Sequence, residues 1–348
     1  MHDGAVIGGG SQQALACGLT RRRVIRIAAA AAGLPLMIAA VRATAPPAQM
    51  FEWQGQVLDG LAELTLWHTD AALCRRTFRK VEAAIGRYER IFSLYQPDSE
   101  IARLNAAGEL RRPAPELRYL IEESQRIGRL SGGAFDISVQ PLWRLYEGYF
   151  WSHARLVEDI VAEAQEVARK LVDFRAIETS ARRIAFAREG MGITLNSIAQ
   201  GFITDAIADM LRNEGFETAV VDLGEYRTLG RHPDGHAWRI GIRNALAVGE
   251  IDRVIELDDQ ALAVSGGYGT TFEPTGQFHH IFDPQTGASA HRLADAAVIA
   301  PRATTASALA VALCVLGEER AQGLLGACPG ARAIATRPDG SSVSLGRA

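Results

Sequence analysis

Apolar residues at positions 81, 85, 88, 91 and 92 (Val81, Ile85, Tyr88, Ile91, Phe92) recur three and four apart among arginines and glutamates. That spacing predicts an amphipathic helix over residues 76–94. Residues 115–130 repeat the pattern with Leu117, Leu120, Ile121 and Ile127, and Ser131-Gly132-Gly133 stops it. A more polar helix is predicted over 157–172. Ahead of these helices, 45–50 reads as a linker and 62–68 as an edge strand. From Arg183 onward the period shifts towards two, which predicts strands over 184–188, 192–195, 218–223, 236–242, 253–256 and 261–265. Glu189-Gly190, Pro233-Asp234-Gly235 and Pro274-Thr275-Gly276 supply the turns, and helices over 201–213 and 305–316 interrupt the series. Hairpins with intervening helices predict an α+β fold of mixed or antiparallel sheets packed with helices, not a doubly wound parallel sheet.

The first 45 residues differ from the rest. Thr20-Arg21-Arg22-Arg23-Val24-Ile25-Arg26 precedes an apolar run over 27–41 and the small residues that end at Ala45. That is the shape of a signal peptide, and the paired arginines resemble a twin-arginine export signal, which implies a periplasmic destination. A plain basic leader is the alternative, and cleavage after Ala43 or retention as an anchor are both open. The division is therefore 1–45, signal, and 46–348, one folded unit. Without the signal the chain carries 32 basic and 39 acidic residues, since five arginines and Asp3 leave with it from totals of 37 and 40. No basic stripe marks a nucleic-acid partner. Cys74, Cys314 and Cys328 have no metal-cluster spacing, while a Cys314–Cys328 disulfide suits an oxidising compartment.

Candidate chemistry concentrates in a few segments. Asn196-Ser197-Ile198-Ala199-Gln200-Gly201 follows a predicted strand and opens a helix, where unpaired backbone N–H groups favour an anion, yet no lysine accompanies it. His279 and His280 are predicted on opposite faces of a strand, so one of them faces inward, and Asp283-Pro284-Gln285-Thr286-Gly287 ends that strand in a tight turn. Residues 95–105, 132–142 and the strand end Asp222-Leu223-Gly224-Glu225 complete the set.

In this order the segments resemble the ApbE-like family, the FAD:protein FMN transferases, over nearly all of 46–348. The resemblance is carried by residues 93–105, 133–142, 195–201, Gly224-Glu225 and 280–287. The helix-start and strand-end forms, with the signal, are most similar to the branch associated with nitrous-oxide-reductase maturation. The resemblance implies a T-fold-related architecture and transfer of FMN from FAD to a threonine or serine of a target flavoprotein, with release of AMP. It implies as target a membrane-bound electron-transfer protein on the periplasmic side. Leu58, Tyr95, Ala134, Phe135, Asp136, Asn196, Phe202, His280 and Ile281 would line the flavin nucleotide. His280 would act as base or phosphate contact and Asp283 would orient it. Mg2+ would sit at the Ala199 carbonyl and at two side chains of the final helix. Those two positions are Ser307, where the family carries an acid, and Val311, where it carries threonine. A hydroxyl in place of a carboxylate removes a full charge, and valine offers no oxygen, so weak Mg2+ binding is expected. An FAD-binding maturation protein without transfer activity is the competing reading. A Rossmann-type oxidoreductase is disfavoured, because no GxGxxG follows a strand.

Overall fold

The computed structural model describes residues 47–58, 60–152, 158–247 and 249–346, so the segment expected to be an export signal lies outside the described residues. The chain begins with a hairpin of β1 (Gln49–Val57) and β2 (Gly60–His68), in register from Gln49 opposite His68 to Val57 opposite Gly60. Leu58 occupies the tight turn between them with φ 47. Asp70 then caps α1 (Ala71–Phe92), its carboxylate accepting the N–H groups of Ala72 and Leu73 at 2.7 and 3.0 Å. Next come α2 (Glu100–Ala107), β3 (Glu109–Arg111), α3 (Pro115–Leu130), α4 (Gln140–Ser152), α5 (Glu158–Arg169), β4 (Ile177–Thr179) and β5 (Arg183–Phe186). The second half contains α6 (Asn196–Asn213), β6 (Ala219–Asp222), β7 (Tyr226–Leu229), β8 (Trp238–Arg243), β9 (Ile251–Leu257), β10 (Ala261–Gly266) and β11 (Asp295–Ala300). It ends with α7 (Ala303–Leu316), α8 (Glu318–Gly326), β12 (Arg332–Thr336) and β13 (Ser342–Leu345).

The main sheet has eight strands in the order β1-β2-β6-β7-β10-β11-β12-β13, every neighbour antiparallel. Smaller sheets, β3-β5-β4 and β8-β9, complete the α+β fold. The helix α7 packs on β10 and β11 on one side and on α6 on another, and it is buried nearly all round. That position demands small residues, which is why its sequence is dominated by alanine and carries no polar stripe.

Several sequence expectations are revised. The edge strand is β1, which takes up part of the predicted linker, and β2 is interior. Residues 192–195 form no strand; Ile193 instead exchanges two hydrogen bonds with the side chain of Asn105, at 2.8 Å each, so an amide replaces a neighbouring strand. The histidine segment is held by two isolated bridges, Thr271 with His279 and Phe282 with Ser289. The strand β11 escapes period-two reading because all six of its residues are buried. Cys74, Cys314 and Cys328 are buried free thiols, so the Cys314–Cys328 disulfide is not formed. Among the described residues no helix is long and apolar enough to cross a membrane.

Candidate active site

Much of the patterned sequence before α6 turns out to aim that helix. Ser99 caps α2 by accepting the N–H of Ala102 and donates to the carbonyl of Ser93 at 2.6 Å. Asn105, at the other end of α2, clamps Ile193. The Asp136 carboxylate accepts the N–H and hydroxyl of Ser138 at 2.8 and 2.6 Å and the N–H of Phe174 at 3.0 Å. Burial pushes its pKa up to about 6 against those hydrogen bonds. Thr194 donates its N–H to the Ile137 carbonyl at 2.8 Å. The segments 93–105 and 133–142 therefore converge on the residues that lead into α6.

Helices α6 and α7 meet at Gly201, where a Cβ would lie 2.5 Å from the Ala303 carbonyl oxygen. Only glycine permits that approach. One turn further along, Asp205 caps α7 from outside its own chain segment, accepting the N–H groups of Ala303 and Thr304, each at 2.9 Å, and the Thr304 hydroxyl at 2.7 Å. The Thr304 hydroxyl is thereby committed to the cap. On the same side of α6, Gln200 lies between the β1–β2 and β6–β7 turns, so close that a Cβ at Gly60 or Gly224 would approach its amide to 2.9 or 2.7 Å.

Beneath this turn the Ser307 hydroxyl lies 3.0 Å from the Ser197 carbonyl and 2.8 Å from a Glu225 carboxylate oxygen. Thr204 donates to the Glu225 carbonyl at 3.3 Å. Burial pushes the Glu225 pKa up to about 8, and the Ser307 hydroxyl and the Val264 backbone only partly oppose it. The sequence shows a hydroxyl where the family has an acid; the structure puts a carboxylate against that same hydroxyl from another element. The α6 carbonyl that Ser307 touches is that of Ser197, whereas Ala199, two residues on, is fully buried. Val311 stands one turn beyond Ser307 and packs on the core with its methyl groups.

His280 lies beyond β10. Its Nδ1 is 3.1 Å from the Thr270 carbonyl, so Nδ1 carries the proton and Nε2 keeps its lone pair. Burial holds its pKa below the usual imidazole value, which keeps the ring neutral, while the Thr270 carbonyl pulls the other way. Its neighbour His279 is the inward-facing one, 3% exposed, with the His291 ring 4.8 Å away. Asp283 does not orient His280: its carboxylate accepts the Gln285 N–H at 2.8 Å and builds the turn. Thr270 does the orienting. Gln165 of α5 donates to the Thr286 carbonyl at 3.0 Å, and Trp143 of α4 sets its ring 6.3 Å from that of His280, so the turn is docked on α4 and α5.

The other predicted flavin-lining residues come from several elements. Tyr95 is 63% exposed after α1, Asn196 is exposed at the first residue of α6, and Leu58 is partly buried at the hairpin tip. Ala134, Phe135 and Ile281 are buried in the core, and Phe202 packs among Tyr88, Phe92 and Tyr119. Glu225, Ser197, Asp205 and Thr270 carried no role in the sequence reading. The signal for Glu225 was its place after Gly224, a glycine with φ 98 in the turn. Among the described residues no group of three His, Cys, Asp or Glu side chains forms a metal cluster, so any hard cation here would rely on hydroxyl and carbonyl oxygens as well.

The chain is similar to proteins of known activity. The ApbE family model matches residues 59–335. The FAD:protein FMN transferase of Haemophilus influenzae is 30% identical over 262 residues, 72% of this chain and 75% of the relative. That of Treponema pallidum is 32% identical over 290 residues, 77% and 79% of the two chains. Among solved structures, the flavin transferase ApbE of Vibrio cholerae superposes with a TM-score of 0.73 at 25% identity, covering 86% of this chain and 98% of its own. The Pseudomonas stutzeri flavinyl transferase ApbE, apo form, gives 0.73 at 26%, covering 86% and 96%. With the family model spanning most of its length, this chain belongs to the ApbE family.

Proposed function

We infer that this chain is an FAD:protein FMN transferase. The reading is carried by family membership over residues 59–335, with relatives of that activity at about three-quarters coverage. In the reaction, a threonine or serine hydroxyl oxygen of the acceptor protein bonds to the FMN-side phosphorus of FAD. The pyrophosphate P–O bond breaks and AMP leaves with the electron pair. The hydroxyl proton has a receiver in His280 Nε2, whose tautomer the Thr270 carbonyl fixes. At the start of α6 the Asn196 N–H donates to the Thr194 hydroxyl at 3.3 Å and those of Ile198 and Ala199 to the Leu195 carbonyl at 2.9 and 2.7 Å, so the positive end of the helix, more than a row of free donors, would face phosphate oxygens, and Gln200 packs against both neighbouring turns, which limits its motion.

Mg2+ would neutralise phosphate charge in such a site. The oxygens of Ser307 and its neighbours are hard donors suited to it, and Val311 is not one. The finer setting follows from the sequence: export by the twin-arginine route on Arg21 and Arg22, and a membrane-bound electron-transfer protein as acceptor on the periplasmic side. A competing reading, FAD binding without transfer, draws on Ser307 and Val311. Offering FMN in place of FAD tests the reaction. Transfer with FAD and none with FMN is expected, because only FAD carries an AMP leaving group; FAD that is bound but never consumed would favour the competitor.

A further inference from the structure

A glutamate in a hairpin turn ordinarily reaches water. Glu225, in the turn between β6 and β7, is instead 7% exposed and makes no ion pair with a lysine or arginine among the described residues. Its surroundings are equally short of positive charge. The Ser307 hydroxyl has one hydrogen, yet two acceptors face it, the Ser197 carbonyl at 3.0 Å and the Glu225 carboxylate at 2.8 Å. The carboxylate also takes the Val264 N–H, yet among the described residues no cation offsets its charge in this buried place, an arrangement that costs free energy unless a further cation or proton joins it.

We propose that Glu225 is the carboxylate ligand of this chain's divalent-cation site, in the place of the acid that the family helix carries at position 307. The inference rests on the transferase reading above. A ligand supplied by α7 in the family is here supplied by the β6–β7 turn, and Ser307 is the point where both routes arrive. The site keeps one negative charge, one hydroxyl and a carbonyl, all hard oxygens of the kind magnesium or manganese takes. The glycine at 224, with φ 98, turns the chain so that Glu225 is carried inward. Weak cation binding, expected from Ser307 and Val311 alone, is therefore not what this site provides.

The test uses Mn2+ as probe, its binding to the FAD-loaded protein followed by electron paramagnetic resonance, with FAD affinity measured separately without metal. Glu225→Gln keeps the shape and can still accept from Ser307; it should weaken Mn2+ binding by about 10–100-fold and leave metal-free FAD affinity unchanged. Glu225→Gly combined with Ser307→Asp should return Mn2+ binding to the wild-type level, which also covers a Glu225→Gln protein that folds poorly. Unaltered Mn2+ binding in Glu225→Gln, or a double variant that stays weak, overturns the inference. A wild-type protein that binds FAD but no Mn2+ overturns it alone, whereas one that binds no FAD overturns the transferase reading beneath it.

Discussion

Asp205 holds Thr304 by two contacts, accepting its backbone N–H at 2.9 Å and its hydroxyl at 2.7 Å, and so fixes the first turn of α7 against the middle of α6. The same carboxylate takes the Ala303 N–H and lies 3.3 Å from the Arg302 guanidinium. Asp205→Ala leaves those donors buried without an acceptor and should cost about 3 kcal/mol of unfolding free energy. Asp205→Asn should cost less, because one carbonyl oxygen remains. Urea denaturation of the two variants checks the order.

Gly201 sets the spacing of the same helix pair. An added Cβ would lie 2.5 Å from a backbone oxygen that cannot rotate away. Gly201→Ala should therefore destabilise by about 1–3 kcal/mol or more and also move Ser307 relative to Ser197. Thermal melting reads the first effect.

His280 is set up as a neutral acceptor by the Thr270 carbonyl. His280→Gln should lower the rate of FMN transfer by about 100–10,000-fold, the range for loss of a general base. FAD affinity should change far less. Single-turnover kinetics beside a fluorescence titration of FAD separate the two, and parallel losses would make His280 a binding residue.

The buried His279 gives a pH dependence of defined sign. Burial, then the neighbouring His291 and His280, hold its pKa at about 4, against 6.5 for a free imidazole. Between those values the unfolded chain binds a proton that the folded chain does not, so stability from this group is complete above pH 6.5 and is lost as pH falls towards about 4. His279→Asn can keep an acceptor for the Ile281 N–H, now made by Nδ1 at 3.3 Å, without a titrating ring. Its melting temperature should fall less than that of the wild type across that window.

The helices announced themselves because one face of each meets the core. The predicted helix 115–130 coincides with α3, and α1 differs only at its ends. Strands buried on both faces, such as β11, leave no alternation to read, and α4 lay hidden in a segment noted only for its Gly-Ala-Phe-Asp start. The site divides in the same way. The local pattern said that one of His279 and His280 faces inward, which is His279, while His280 and Ser307 entered as site residues through the family resemblance. Glu225 was not legible, since its burial depends on β10 and α7 folding over it, contacts made by residues distant in the chain. Asp136 and Asn105 illustrate the converse: strongly patterned residues whose side chains satisfy backbone groups.

The buried free thiols Cys74, Cys314 and Cys328 should be unreactive in the native state, because burial raises the pKa of all three, to about 11 for Cys74 and about 12 for Cys314. Ellman titration should find these three thiols only after denaturant is added, with or without prior reductant. A native protein that loses thiols on oxidation and gains stability would restore the Cys314–Cys328 disulfide.

Transfer of FMN to protein is the activity to be observed. Its most direct measurement is intact-mass spectrometry of an acceptor domain carrying a threonine, incubated with this protein, FAD and Mg2+, with the nucleotide products separated in parallel. The acceptor should gain the mass of one FMN less water, the gain should map to the hydroxyl residue, and one AMP should appear for each acceptor modified. An acceptor of unchanged mass with intact FAD, or AMP released while FMN stays free in solution, would contradict this activity.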